Sequence, residues 1–146
     1  ARARPVLEAF SRSLTHLGPP GSGQAGKAVN QLLLAGAYAS LAEGIAFAER
    51  LGLPLEPLVE ALQGGAADSW VLRNRAGNMI RDAYPLGFRT SLFLKDLRIA
   101  LAEAEAADVP LDVARLVAGW DARLVEAGHG DEDVSNVARI VRGTVD

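Results

Sequence analysis

Apolar residues recur at helical spacing along most of the chain, and proline and glycine divide it into segments. The stretch Gly23–Arg50 contains no proline, is apolar on most sides and is followed by Pro54. This pattern predicts one long central helix at about residues 22–51, with Ser22 as its N-cap. A helix that is apolar all round needs cover all round. We expect the rest of the chain to wrap it, with a missing domain or a second subunit contributing.

Shorter elements are predicted on both sides of this helix. Residues 3–13 have helical character, and Ser13–Leu17 is predicted as a short strand before the break at 18–21. Four further helices are predicted after the long one: Pro54–Gln63, a helix capped by Asp68 or Ser69 that ends near Asp82, a helix from Thr90 or Ser91 to about Ala107, and a helix from Pro110 to near Gly128. A last helix, capped by Asp131 or Asp133, ends near Arg142. Without a run of alternating strands, the fold class is predicted to be all-α.

Composition narrows the classes of function. Hydrophobic residues make up 49% of the chain and aromatic residues only 5%, so we expect a core of close helix–helix contacts between small side chains. The net charge of −3, with no basic stripe, argues against nucleic acid as a partner. The absence of cysteine excludes disulfides and thiolate chemistry and agrees with a cytoplasmic location. The apolar stretch 28–48 contains Asn30, Gln31 and Glu43, which makes it a poor candidate for a membrane span.

The glycine-rich segment before the long helix fits two nucleotide-binding motifs only superficially. Gly21, Gly23 and Gly26 match G-x-G-x-x-G, but that fingerprint requires a following parallel strand, and here the helix continues. Residues 21–27 also match G-x-x-x-x-G-K, but Ala28 stands where a P-loop needs Ser or Thr for magnesium. Both interpretations are therefore disfavoured.

A longer frame places three polar side chains together. Lys27, Asn30 and Gln31 lie on one face of the predicted helix, because residues three and four apart are neighbours. A partly desolvated lysine can exchange a proton near neutral pH, and amides can hold a hydroxyl, carbonyl or carboxylate group. Gly23 lets a ligand approach the backbone closely. The alternative is a solvated lysine in the first turns of the helix and a satisfied buried amide at Asn30. Spacing alone favours neither.

Two motifs give the chain a family resemblance. The frame G-x-x-G-x-G-x-x-x-K-x-x-N covers residues 18–30, and Gly87-Phe88-Arg89 is followed by L-F-L-K-D-L at 92–97. Both resemble the β-hydroxyacid dehydrogenases, the group that includes 3-hydroxyisobutyrate dehydrogenase. The pair Gly64-Gly65 with Ser69-Trp70 and the stretch 128–135 also have counterparts there. The pattern Pro-x-Gly-Phe-Arg at 85–89 looks most like the tartronate semialdehyde reductases within that family.

The resemblance implies a role for each residue of these motifs. Lys27 would be the catalytic acid–base, protonating the carbonyl oxygen as hydride arrives. Asn30, with Gln31 and Gly23, would bind the substrate. Lys95 would approach the nicotinamide of NAD or NADP, and Phe88 would exclude water beside it. Asp96 would fix the local helix turn, and no metal ion is expected, since His16 and His129 lack ligand spacing.

The same resemblance implies an architecture for the whole protein. Residues 1–17 would be the remnant of the end of a dinucleotide-binding Rossmann domain, and residues 18–146 a helical domain for substrate binding, catalysis and dimerisation. The nucleotide-binding half would be absent, so the chain alone would be an inactive part of an oxidoreductase that forms a homodimer or homotetramer.

The expected reaction is reduction of tartronate semialdehyde (2-hydroxy-3-oxopropionate) to glycerate, or alternatively oxidation of 3-hydroxyisobutyrate. The rival interpretation is a non-catalytic helical module for dimerisation or partner binding. Trp70 and Trp120 are expected in the core.

Overall fold

The structure, a computed structural model, describes residues 3–145. Within this range the chain forms α-helices throughout, with one 3₁₀ helix and no β-strand. The helices are α1 (Arg4–Glu8), α2 (Ser22–Arg50), α3 (Leu55–Leu62), α4 (Trp70–Ile80), α5 (Thr90–Ala106), α6 (Asp112–Glu126), the 3₁₀ helix (Val134–Val137) and α7 (Ala138–Arg142). The prediction of an all-α domain built on one long helix is confirmed.

Two details of the predicted start of the domain are wrong. Ser22 is the first residue of α2 and not its N-cap; Gly21 precedes the helix with a φ of 100°, and no side chain caps it. The predicted strand Ser13–Leu17 is not formed, although α1 lies within the predicted helix 3–13. A strand requires a hydrogen-bonded neighbour, and the described residues offer none to this segment.

The core surrounds the buried side of α2. Alanines at positions 35, 39 and 42 on this side allow close approach of neighbouring helices, as the small-residue composition predicted. Helix α2 contacts α4, α5, α6, α7 and the 3₁₀ helix. Tyr38 meets Phe93 of α5 edge to face, with ring centroids 6.1 Å apart. Phe93, Leu97, Met79 and Leu124 are among the largest side chains that are fully buried.

By length and composition alone, α2 would suffice to cross a membrane, and it is the one such helix among the residues that the structure describes. The core helix of a soluble protein meets the same criterion. The contacts of α2 with several other helices are those of a core helix.

The two tryptophans occupy different environments, and only one agrees with the prediction. Trp120 is half-buried and packs against the core. Trp70 is 57% exposed, which contradicts its expected core position. It is the first residue of α4, directly after the N-cap Ser69, whose hydroxyl accepts a hydrogen bond from Leu72 N at 3.0 Å. From this end of the helix its ring faces outward, and the Arg75 guanidinium lies over it at 4.7 Å.

Candidate active site

A carboxylate and an ammonium group from distant parts of the chain meet beside the first turns of α2. Lys27 Nζ lies 3.0 Å from Asp96 Oδ2 on α5. The Lys27 side chain is 54% exposed, whereas that of Asp96 is only 8% exposed. The pair therefore consists of a half-exposed cation whose Nζ contacts a nearly buried anion.

Both predicted amides belong to the same cluster. Gln31 Nε2 donates to Asp96 Oδ2 at 3.0 Å, and Asn30 Nδ2 donates to Gln31 Oε1 at 3.0 Å. Lys95 Nζ lies 3.5 Å from Asp96 Oδ1. Three of the six predicted site residues thus contact one carboxylate, and a fourth, Asn30, is joined to it through Gln31. Of the two amides, Gln31 is buried and Asn30 is exposed, so the alternative interpretation of Asn30 as a buried amide is wrong.

Asp96 is the residue that sequence reasoning misplaced. It was expected to fix its own helix turn, but it joins α5 to α2 across 65 residues of sequence through Gln31. Burial works against ionisation of Asp96, but the hydrogen bond and charge of Lys27, the Gln31 amide and the charge of Lys95 outweigh it and lower the pKa of this carboxyl below its ordinary value. The adjacent Lys95-Asp96 pair in the sequence was the signal that could have indicated a role for Asp96 in the site.

The cluster borders a small cleft that continues into a larger apolar groove. The cleft, of about 60 Å³, is lined by Gln24, Lys27, Ala28, Gln31, Asp96 and Ile99. The groove, of about 580 Å³, lies between α2 and α5 and shares Gln24, Ala28 and Ile99 with the cleft. The groove is larger but is lined almost entirely by apolar side chains, so the chemistry belongs to the cleft.

The remaining two predicted site residues lie apart from this cluster. Gly23 is exposed one turn before Lys27, and a Cβ there would meet nothing within 4 Å. Its backbone is therefore open to a ligand. Phe88 is half-buried before α5, where its ring meets Phe93 edge to face at 5.8 Å. Among the described residues, no hydrogen bond or ion pair joins Phe88 to the Lys27 cluster.

A second polar cluster, at the start of α5, holds Phe88 in place. The buried Asp133 accepts a hydrogen bond from Phe88 N through Oδ2 (3.0 Å), and Val134 N donates to Phe88 O at 2.9 Å. Asp133 Oδ1 accepts from Ser135 N and Oγ and lies 3.0 Å from Arg75 Nε. We call this group, residues 130–136 with Arg75 and the loop 84–91, the α5 clamp.

Close approach in the clamp depends on one glycine. A Cβ on Gly87 would collide with the Asp133 carboxylate and the Arg75 guanidinium. Two further backbone bonds, Thr90 N to Glu132 O (3.1 Å) and Ser91 N to Gly130 O (2.9 Å), attach the first turn of α5 to the same segment. The clamp therefore fixes the position from which α5 directs Lys95 and Asp96.

The described residues contain no group of three His, Asp or Glu side chains able to hold a metal ion. His129 is instead part of a surface network: its Nδ1 lies 3.0 Å from Glu132 Oε1 and 2.7 Å from Arg139 Nη1.

Comparison with known proteins shows which protein family this fold belongs to. Residues 21–141 match the family model whose description reads NAD-binding of NADP-dependent 3-hydroxyisobutyrate dehydrogenase. The chain belongs to the 3-hydroxyisobutyrate dehydrogenase-like family. The predicted β-hydroxyacid dehydrogenase resemblance is thereby confirmed at the level of the family, as is the prediction of NAD or NADP as cofactor. The matched range contains the Lys27 cluster and the α5 clamp.

Two curated members of this family illustrate the similarity. An uncharacterised oxidoreductase of Shewanella frigidimarina is 44% identical over 114 residues, which are 78% of this chain and 39% of that protein. L-threonate dehydrogenase of Escherichia coli K12 is 33% identical over 143 residues, covering 97% of this chain and 47% of the relative. The chain therefore spans about half or less of the length of these relatives.

A solved structure supports the same conclusion. The crystal structure of 3-hydroxyisobutyrate dehydrogenase from Salmonella typhimurium superposes with a TM-score of 0.87 at 31% sequence identity. The superposition covers 95% of this chain and 49% of that one. The helical fold described above is thus the fold of one part of a 3-hydroxyisobutyrate dehydrogenase-like enzyme.

Proposed function

We propose that this chain is the C-terminal helical half of an NAD(P)-dependent β-hydroxyacid dehydrogenase, in which Lys27 is the general acid and base. The observation that carries the proposal is the ion pair between Lys27 and Asp96. Lys27 Nζ lies 3.0 Å from Asp96 Oδ2, and the Lys27 side chain is half-exposed. Chemistry of this class requires a proton to be given to, or taken from, one substrate oxygen. Lys27 is a proton carrier in an open cleft beside two amides.

The residues around the cleft suit the reaction in both directions. The nicotinamide cofactor, when bound, supplies or accepts the hydride. Lys27 protonates the carbonyl oxygen in reduction and receives the proton in oxidation. Asp96 orients Lys27, and because it also binds Gln31, it fixes the amide relative to the ammonium. Asn30 and the open backbone at Gly23 bind the polar groups of the substrate.

The donor set fits a dinucleotide cofactor next to this cleft. Lys95 is exposed and offers an ammonium group one residue from Asp96. Phe88, held by the clamp, offers an aromatic edge for excluding water. We assign both to the nicotinamide end of NAD or NADP, and we assign the other half of the site to a Rossmann domain of which residues 1–17 are the end.

For the substrate we propose a small hydroxylated carboxylate and its semialdehyde, with tartronate semialdehyde first. The Pro-x-Gly-Phe-Arg pattern at 85–89 favours it. 3-Hydroxyisobutyrate is the second candidate, because the Salmonella relative is named for it. The name of the E. coli relative points to a hydroxylated carboxylate as well.

The test is a steady-state assay of the full-length polypeptide with NADH and NADPH and each of these substrates. Lys27→Ala is expected to lower kcat by about 10²- to 10⁴-fold, the usual contribution of a positioned acid–base group. Arg98→Ala is the matched control, because Arg98 is an exposed cation on α5 outside the cluster. It is expected to retain full activity.

The outcomes separate the parts of the proposal. An active wild type with an equally active Lys27→Ala variant keeps the enzyme class and refutes the role of Lys27. A protein inactive with every hydroxy acid and semialdehyde of this class contradicts the proposed reaction. The 146-residue chain alone is expected to show no turnover, because the nucleotide-binding half is missing from it.

A further inference from the structure

An apolar groove adjoins the cleft that contains Lys27, and the proposed function leaves it unused. The groove of about 580 Å³ lies between α2 and α5, and its volume is within the roughly 300–1,000 Å³ typical of sites for small molecules. It shares Gln24, Ala28 and Ile99 with the cleft, so the two spaces are continuous. Ala28 follows Lys27 directly, and Ile99 lies about one turn after Asp96 on α5. The groove therefore begins beside the proposed proton carrier.

Small side chains on both helices leave room for the groove. Ala25 and Ala28 line it on α2, and Ala100 and Ala104 line it on α5. Because a methyl group fills little of the space between two helices, these four positions keep the groove open. The other apolar side chains of its lining are those of Val29, Leu32, Ile99, Val109 and Leu111. A lining of this kind suits a hydrocarbon group, since it offers almost no hydrogen-bond partners to a polar one.

The charges of the cleft and the groove orient a ligand that occupies both. Of the side chains that line the groove, those of Gln24 and Glu103 are the polar ones, and both residues are exposed. A carboxylate in the groove would lie near Glu103 and be repelled by it. In the cleft, the same carboxylate would lie near the ammonium groups of Lys27 and Lys95. The acidic end of a ligand therefore belongs in the cleft, and its uncharged end belongs in the groove.

We propose that the groove receives an apolar arm of the substrate, and that the enzyme acts on 2-alkyl-3-hydroxypropanoates whose arm is longer than a methyl group. This inference rests on the proposed function, since it places the reacting hydroxyl at Lys27. 3-Hydroxyisobutyrate, one of the two candidate substrates, already carries a methyl group on the same carbon. In oxidation, the hydride on the hydroxyl carbon passes to the nicotinamide of NAD or NADP and the hydroxyl proton passes to the Lys27 amine. The product is the 2-alkyl semialdehyde, and the arm takes no part in the reaction.

The length of the groove sets the length of the arm. From Ile99 to Ala104, α5 advances about 7.5 Å, at about 1.5 Å per residue. An extended chain advances about 1.2 Å per bond, so an arm of about six carbons spans this distance. Val109 and Leu111 belong to the segment between α5 and α6, at the end of α5 away from Asp96. An arm that reaches them has covered the lining, and a longer arm gains no further contact.

The dependence of activity on arm length tests the proposal in the full-length polypeptide. The substrates are 2-alkyl-3-hydroxypropanoates with arms from methyl to octyl, assayed with NAD and NADP. We expect kcat/KM to rise about fourfold for each methylene up to about six carbons, the factor for removing one methylene from water, and then to level off. Turnover of the methyl compound with no gain from longer arms overturns the proposal and leaves the proposed function standing. No turnover of any member contradicts both.

Variants that fill the groove locate the arm. Ala104→Phe is expected to abolish the gain from longer arms and to leave kcat/KM for the methyl compound unchanged. Ala25→Phe fills the groove from α2 and is expected to do the same. Ala102→Phe is the matched control, because Ala102 is an exposed alanine of α5 outside the lining. Circular dichroism verifies that each variant is folded. If both groove variants keep the wild-type dependence on arm length, or lose activity on every substrate alike, the proposal is wrong.

Binding to the 146-residue chain provides a measurement that needs neither cofactor nor turnover. The probes are acetate, butanoate, hexanoate and octanoate, titrated by NMR while the methyl signals of Ala100 and Ala104 are observed. We expect affinity to increase with chain length up to about six carbons and the two methyl signals to shift. Ala104→Phe should remove the dependence on length, and Lys27→Ala should weaken every probe by a similar factor. A dependence on length that survives in Ala104→Phe would place the alkyl chains elsewhere and refute the groove as their site.

Discussion

The start of α5 and the site two turns further along the same helix use carboxylates in opposite ways. In the α5 clamp, Asp133 is buried and each of its oxygens accepts a hydrogen bond from a backbone N–H, with Arg75 beside it. In the lysine cleft, two turns further along, Asp96 is nearly buried but its main partner, Lys27, is more than half exposed. Asp133 therefore fixes backbone N–H groups, whereas Asp96 binds a side chain that reaches solvent.

This difference separates the residues that stabilise the fold, in the clamp, from the residues proposed to take part in the reaction, in the cleft. Removing one member of a buried polar cluster leaves unsatisfied groups that cannot reach water. Removing the exposed Lys27 leaves Asp96 with the Gln31 amide and Lys95 still as partners, and exposed ion pairs contribute little to stability. The clamp should therefore determine the stability of the domain, and the cleft should be replaceable at little cost in stability.

The largest expected effect is in the clamp. Asp133→Ala removes the acceptor of Phe88 N and Ser135 N and the ion-pair partner of Arg75, and we expect a loss of about 3–5 kcal/mol in the free energy of unfolding. Chemical denaturation monitored by circular dichroism measures it. Asp131→Ala is the matched control, because this aspartate lies in the same segment but is highly exposed, with Arg89 at 3.6 Å. Equal losses in the two variants would show that the clamp is not a special source of stability.

A third carboxylate separates burial from pairing. Asp121 on α6 is fully buried, and neither oxygen has a hydrogen-bond partner among residues 3–145. Burial raises its pKa from 3.8 to about 8. The folded protein then keeps a proton that the unfolded chain releases, so this group lowers stability progressively as pH rises from about 4 to about 8.

Asp121→Asn removes that dependence. We expect the stability of the variant relative to wild type to rise by about 3–4 kcal/mol between pH 5 and pH 8. Denaturation curves of both proteins at the two pH values provide the measurement. A difference between the proteins that does not change with pH would show that Asp121 is ionised in the fold.

The smallest effect on stability is expected in the cleft. Lys27→Ala should lower the free energy of unfolding by less than about 1 kcal/mol, because the Lys27 side chain is largely solvated and exposed ion pairs contribute little. The same variant is the one expected to lose most activity. Its thermal unfolding midpoint, compared with that of Arg98→Ala, tests this. A loss as large as that of Asp133→Ala would make Lys27 a structural residue.

The sequence predicted the helices well because their ends are determined locally. Pro54, Ser69 and Asp133 lie at the helix boundaries that turn and cap chemistry indicated. The prediction from sequence failed where the local structure depends on contacts with other parts of the molecule. Whether Ser13–Leu17 becomes a strand depends on a neighbouring strand that the described residues do not provide. Trp70 reads as a core residue from its apolar character, but its position at the first turn of α4 exposes it.

The site was predicted in part for the same reason. Lys27, Asn30 and Gln31 are neighbours on one helix, so helical periodicity alone placed them together. Their convergence on Asp96 depends on how α5 packs against α2, which no local pattern contains. From the sequence, Asp133 was predicted only as one of two candidate caps of the last helix. Its contact with Phe88 is a tertiary contact across 45 residues.

The shape of α2 gives its packing a mechanical consequence. The half of the helix beyond Ala35 is embedded in the bundle, whereas residues 21–30 are mostly exposed and meet α5 at the Asp96 cluster. Lys27 lies about 12 Å along the helix from Ala35. A tilt of about 5° at the embedded end would move it by about 1 Å, a displacement that costs positioned reactions about 100-fold in rate. The close packing at Ala39 and Ala42 thus sets the tilt of α2. Through that tilt it sets the position of the Lys27 side chain, which neither alanine contacts.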